Sequence, residues 1–252
     1  MRKIRIKAIL FIVPAVIISV ILIISIFFNR NTERLIKAIE QEDIAAISTL
    51  MENGVDPNKT DVYPGAFWSF FETTANRPLV IACNVGNVEI VKLLIEHGAT
   101  AENVEYTGWS PLRETLFYCQ PDDVEIVKLL LENGADPDFK EDDLPVFIAA
   151  KMQPKKFDKH MTSGTVFAND YDNETAVLIT EIVKLLLGEK SVNIKGSQDK
   201  TLLISACEVE NKHLVEYLLS KGCDTSAKDS CGKTALDYAT ETGNEEIIDL
   251  LS

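Results

Sequence analysis

The sequence predicts an all-α solenoid of about six helix-turn-helix repeats, preceded by one N-terminal transmembrane helix. Three observations carry that expectation. The block Val88–Ala99 returns nearly unchanged at Val124–Ala135, and weaker copies recur along the chain. Glycines suited to stopping a helix follow these blocks in phase, at Gly54, Gly98, Gly134 and Gly222. Residues 8–28 form one uncharged apolar run of 21 residues. Self-similarity at a fixed period is the mark of stacked units, each too small to bury its own apolar face.

Taken in chain order, residues 1–7 form a basic segment with Arg2, Lys3, Arg5 and Lys7, and no acid precedes Phe28. Ala8–Phe28 follows. At ~1.5 Å rise per residue a helix of that length crosses a hydrocarbon core of roughly 30 Å. Pro14 is tolerable there, because kinks survive in membrane helices when the freed backbone groups find partners. The run exceeds the apolar stretch of a secretory signal, about 7–15 residues, and it ends without a small-residue cleavage site. An uncleaved anchor is the expectation. Its four leading basic residues outweigh Arg30, Arg34 and Lys37 behind it by one. That margin favours a cytoplasmic N-terminus and an extracytoplasmic repeat domain, periplasmic in a Gram-negative host.

Residues 29–252 are read as one repeat domain. The whole chain carries a net charge of −14, and the 224 residues after Phe28 hold 21 basic against 39 acidic groups, a net of −18. Such a bias disfavours nucleic acid, whose binding depends on Lys and Arg neutralising phosphates. It equally disfavours docking of this domain on an anionic membrane. Further copies of the repeated block are Asp43–Gly54, Thr180–Leu187, Lys212–Leu219 and Glu245–Leu251. Aligned on Val91, the copies place Ser48, Val127, Val183, Val215 and Ile248 in register, at intervals of 43, 36, 56, 32 and 33 residues. Over a base unit of about 33, the long intervals imply insertions of about 10 and about 23 residues. They fall near 59–75 and 152–174, and such insertions are expected on one face of a solenoid.

Each block is preceded by a short run with small residues. Examples are Arg77-Pro-Leu-Val-Ile-Ala-Cys83, Ser110-Pro-Leu112, Thr201-Leu-Leu-Ile-Ser-Ala-Cys207 and Gly232-Lys-Thr-Ala-Leu-Asp-Tyr-Ala239. Each is followed by an exit such as Gly54-Val-Asp-Pro-Asn58 or Gly134-Ala-Asp-Pro-Asp138. With a period near 33, these runs resemble the T-P-L-H-x-A opening and G-A-D-x-N exit of the ankyrin repeat, over residues 31–252. The chain departs from that pattern in two ways. No copy keeps the full T-P-L-H, so weak caps are expected on the first helices. The fourth copy lacks its glycine at the usual place, reading Leu187-Gly-Glu-Lys-Ser-Val-Asn193.

Catalytic chemistry finds little support. His97, His160 and His213 are far apart in the register and lack ligand partners at metal-site spacing. No phosphate loop or nucleophile elbow is present. No enzyme activity, cofactor or small-molecule substrate is expected. Five cysteines leave at least one unpaired in a monomer. Cys83 and Cys207 read as buried small hydrophobes. Cys223 and Cys231 flank one loop and are candidates for a disulfide in an oxidising compartment, against free thiols as the alternative.

Aromatic placement is the feature most relevant to function. Tyr63, Phe67, Trp68, Phe70 and Phe71 crowd the first insertion, and Tyr106 and Trp109 lie in the next loop of the same type. Such side chains dominate interface energetics, but they also serve as satellite core or membrane-interface anchors. The ankyrin resemblance implies a module that binds proteins through its concave face and loop tips and has no catalysis of its own. The expected function is therefore a membrane-tethered binding module, scaffold or inhibitor, whose partner has a basic patch. The alternative is a structural subunit acting through its membrane helix, with the repeats as a spacer.

Overall fold

The computed structural model describes residues 31–59, 77–102, 110–117, 120–139, 144–152, 155–156, 166–167 and 173–252. The apolar run 8–28 therefore lies outside the described residues, within which no helix is long and apolar enough to cross a membrane. Twelve α-helices are described, and they follow one another as six pairs. They are α1 (31–40) with α2 (Ile44–Glu52), α3 (Pro78–Val85) with α4 (Val88–Glu96), and α5 (Pro111–Thr115) with α6 (Asp123–Glu132). Then come α7 (Pro145–Ala150) with α8 (Asn173–Leu187), α9 (Leu202–Glu208) with α10 (Lys212–Ser220), and α11 (Ala235–Thr242) with α12 (Glu245–Leu251). Second helices stack on second helices from α2 through α12, and first helices on first helices at α3–α5, α7–α9 and α9–α11. The result is a single continuous core two helices deep. A two-residue antiparallel pair, β1 (Lys155–Lys156) with β2 (Val166–Phe167), lies between α7 and α8, so the chain is helical but not purely so.

The repeated block forms a helix because its apolar residues recur at helical spacing. In α4, Ile90, Val91 and Leu94 are fully buried, and in α6 so are Ile126, Val127 and Leu130. Burying each such side chain contributes roughly 1.5–3 kcal/mol. The first copy is corrected by one residue. Asp43 caps α2 by accepting from Ala46 N at 3.0 Å, so the fully buried Ile47, not the half-buried Ser48, matches Val91.

Three of the second helices, α4, α10 and α12, start on a side-chain cap that also ties their pair to the one before it, whereas Asp122 ahead of α6 makes no such cap. Asn87 accepts from Ile90 N, Asn211 from Leu214 N and Asn244 from Ile247 N. Their amides donate backwards, Asn87 to Glu42 at 2.9 Å, Asn211 to the Ala176 carbonyl at 3.2 Å and Asn244 to Glu210 at 3.2 Å. First helices are better capped than the degraded motif implied. Ser110, Thr201 and Thr234 each accept a first-turn N–H, and Thr234 forms a reciprocal box with Asp237. Arg77 and Leu144 hold the same place without capping anything.

The fourth pair departs most. Regular exits put glycine seven residues after the buried register position, as Gly98 follows Val91; here Gly188 comes five residues after Val183. Its φ of +51° is a left-handed stop, and α8 ends at Leu187, one residue earlier in the register than α4 and α6. At its other end α8 starts seven residues earlier than α4 does in the same register, and the added turns pack on α10. Residues 173 and 174 of the second insertion are thus helix.

Candidate protein-binding surface

Loops that join a second helix to the next first helix all leave one edge of the stack. The aromatic candidates fall on two of them, Tyr63, Phe67, Trp68, Phe70 and Phe71 between α2 and α3, and Tyr106 and Trp109 between α4 and α5. All seven lie outside the described residues, but the roots of both segments are described. Asn58 Nδ2 donates to the Gly98 carbonyl at 2.8 Å, and Asn58 Oδ1 accepts from Thr100 N at 2.9 Å and Thr100 Oγ1 at 3.1 Å. The two aromatic segments therefore spring from adjacent points. Asp224 N donates to Asn193 Oδ1 at 2.8 Å, which stitches a later pair of loops in the same way.

The second insertion is placed differently. It joins α7 to α8, the first helix of a pair to its second, and so leaves the opposite edge from the loops above. The described roots of the two insertions therefore differ in connectivity.

Charge is unevenly spread along the stack. Residues 31–152 hold 22 acidic and 9 basic groups, a net of −13, whereas 173–252 hold 14 and 8, a net of −6. The half that bears the aromatic segments is the more acidic. A tight polar cluster ties the last two pairs together. Lys200, 9% exposed, pairs with Glu208 at 2.9 Å and lies 4.9 Å from the centre of the Tyr238 ring. The Tyr238 hydroxyl donates to Asp229 at 2.8 Å, and Asp229 Oδ1 also accepts from Cys231 N and Lys233 N. Donation from Tyr238 leads in holding the Asp229 carboxyl below its usual range, with help from those two amides against the effect of burial. This reads as structural bracing of the C-terminal end.

Among the described residues no group of three His, Cys, Asp or Glu side chains is arranged to hold a metal ion. His97 contacts the Leu93 carbonyl and His213 contacts Asn173, each a local tie, and His160 lies outside the described residues. An open groove of about 360 Å³ between the exits of α8 and α10 is lined by Lys190, Asn193, Tyr217, Lys221 and backbone. It is polar and shallow, unlike the enclosed apolar pockets that small ligands favour.

The thiols are all free among the described residues, so no bridge joins Cys223 to Cys231 in this structure. Cys223 is half-buried beside Cys207, whose thiol it helps to push up, and Cys231 is exposed beside Lys233. Native alkylation is expected to modify Cys231 first and Cys223 more slowly, leaving Cys83 and Cys207 untouched until the chain unfolds. Timed alkylation with peptide mass spectrometry checks the order, and a Cys223–Cys231 linked peptide from the natively isolated protein would restore the bridge.

A family model described as ankyrin repeats matches residues 35–141 and 174–252. Among curated proteins, an ankyrin repeat protein of Rickettsia bellii (strain RML369-C) is 30% identical over 99 residues, 34% of this chain. The match spans 41% of that protein's length, well under two thirds. Among solved structures, a chain from the Bd0816 predatory endopeptidase of Bdellovibrio bacteriovorus in complex with immunity protein Bd3460 superposes with a TM-score of 0.61. The superposition covers 86% of this chain and 96% of that one at 23% identity, a likeness of fold.

Proposed function

The chain belongs to the ankyrin repeat family, and from that premise we propose that it is a membrane-tethered binding module whose repeats dock a protein with a basic patch. The family match over most of the residues after 31 carries the protein-binding part. The net of −13 on residues 31–152, beside the roots of the aromatic segments, supports the basic partner. The uncharged run 8–28 and the basic residues ahead of it support a tether with the repeats outside the cytoplasm. A scaffold and an inhibitor are both in keeping with this. The solved complex with the same fold joins an endopeptidase to an immunity protein, which favours the inhibitor.

The test is capture of partners from the native membrane fraction with residues 31–252 as bait. A basic protein should be retained at low salt and lost as ionic strength rises, since exposed charge pairs are screened beyond about 10 Å at 0.1 M. Trp109→Ala should weaken that capture by more than ~1 kcal/mol and leave the thermal midpoint nearly unchanged. Retention that is indifferent to salt would remove the basic patch from the proposal, and a large fall in midpoint would make Trp109 core. Protease added to intact spheroplasts should digest the repeats; protection until lysis would reverse the orientation.

A further inference from the structure

The residue ahead of each first helix is a cap in three of the pairs, where Ser110, Thr201 or Thr234 accepts a first-turn N–H. Arg77 holds that place before α3. It caps nothing, and it is 6% exposed. Its Nη2 donates to Thr100 Oγ1 at 2.5 Å and reaches Asn58 Oδ1 only at 3.4 Å. Its Nη1 is buried and meets no acceptor. No carboxylate among the described residues pairs with it. Burial holds the guanidinium below its ordinary pKa, yet arginine remains charged at neutral pH. A full positive charge is thus buried at the N-terminal end of α3, whose first turn also lacks a capping side chain. Both features favour an anion at the same point.

This arrangement is poor for stability. An unpaired buried charge is strongly unfavourable, and a threonine here would restore the cap and remove the charge together. A residue that breaks its local rule with no compensating negative charge is a candidate functional position. We infer that Arg77 is a carboxylate receptor. An Asp or Glu side chain, or a C-terminal carboxylate, of the bound protein accepts from Nη1 at the common root of the two aromatic segments. The 3.4 Å contact to Asn58 is made by Nη2 and is weak, so the guanidinium is held chiefly through Thr100 and the Nη1 donors are left for the incoming group. A planar fork matched to a planar carboxylate gives two parallel hydrogen bonds and selects against neutral groups. The inference rests on the protein-binding reading above and names one anchor within it.

The experiment compares the full-length chain with Arg77→Thr. Sodium formate, matched in ionic strength by sodium chloride, should raise the melting temperature of the parent by about 2 °C and leave the variant unmoved. The variant itself should melt higher than the parent. Acetyl-tetraalanine with a free carboxylate, its C-terminal amide, and an amidated peptide with one Asp then separate the two sources of the carboxylate. Binding of the captured partner should fall at least tenfold in Arg77→Thr. If the variant melts lower, keeps the formate response or holds the partner unchanged, Arg77 is only a tie between Asn58 and Thr100 and the inference is overturned. Failure of the capture experiment sinks the protein-binding reading and leaves the formate response standing. Loss of the formate response alone sinks this inference.

Discussion

Phe147→Ala is expected to lower the thermal midpoint by roughly 6–20 °C and to split one unfolding transition into two. Phe147 is fully buried and ranks first by volume among the completely enclosed side chains of the described residues. Truncating a buried Phe typically costs about 3–5 kcal/mol, and each kcal/mol moves the midpoint by about 2–4 °C at this chain size. The split follows from where the residue sits. Helix α7 has six residues, starts without a side-chain cap at Leu144, and packs on both α8 and α9. In a stacked array each pair touches only its neighbours, so a weakened middle pair uncouples the two ends. The two tryptophans, Trp68 and Trp109, both precede this point, so their fluorescence reports the N-terminal half while far-ultraviolet dichroism reports the whole. The two signals should coincide in the parent and separate in the variant. Coincident transitions with a shift below 2 °C would show that α7 is not the joint between the halves.

Legibility from sequence varied with the kind of signal. The second helices were readable because their apolar period and the glycine seven residues on repeat almost verbatim, as in Val88–Ala99 and Val124–Ala135. Repeat one was misread by a residue, Ser48 for Ile47, because its own helix is a poor copy and the decisive feature is the Asp43 cap. The backward ties of Asn87, Asn211 and Asn244 were in plain view as an asparagine ahead of each block. Their partners Glu42 and Glu210 were not, since these sit in a left-handed conformation that no local pattern announces. Arg77 was visible as a misfit in the T-P-L-H position, but its burial and its vacant Nη1 depend on Asn58 and Thr100, which lie 19 and 23 residues away. The position of the second insertion between the two helices of the fourth pair follows from helix order alone.

Alkaline pH should destabilise the domain more steeply than its surface lysines alone can account for, and two buried thiols are the reason. Cys83 and Cys207 are both fully buried. Burial pushes each thiol up to about 12, opposed at Cys83 by the Thr115 hydrogen bond and reinforced at Cys207 by Cys223. The folded value lies above the unfolded one of about 8.5, so the stability these groups contribute is fully present below that pH. Above it, the unfolded chain releases protons that the folded chain holds. Each further pH step then removes about 1.4 kcal/mol per thiol, until the folded thiol itself ionises near 12. By pH 11 the two together should lower stability by several kcal/mol, a large share of the 5–15 kcal/mol typical of a native domain. Lys212 and Lys233 add in the same direction. The Glu246 hydrogen bond raises Lys212 and the Glu241 hydrogen bond raises Lys233, so their contributions are also lost as pH climbs through the raised values. The lysine share is small because both side chains are substantially exposed. Urea midpoints measured at steps from pH 7 to 11 check the prediction. Cys83→Ala/Cys207→Ala should flatten the alkaline limb while costing some stability at pH 7 through the small cavities it leaves. An equally steep limb in the double variant would place the alkaline transition on the lysines and tyrosines instead.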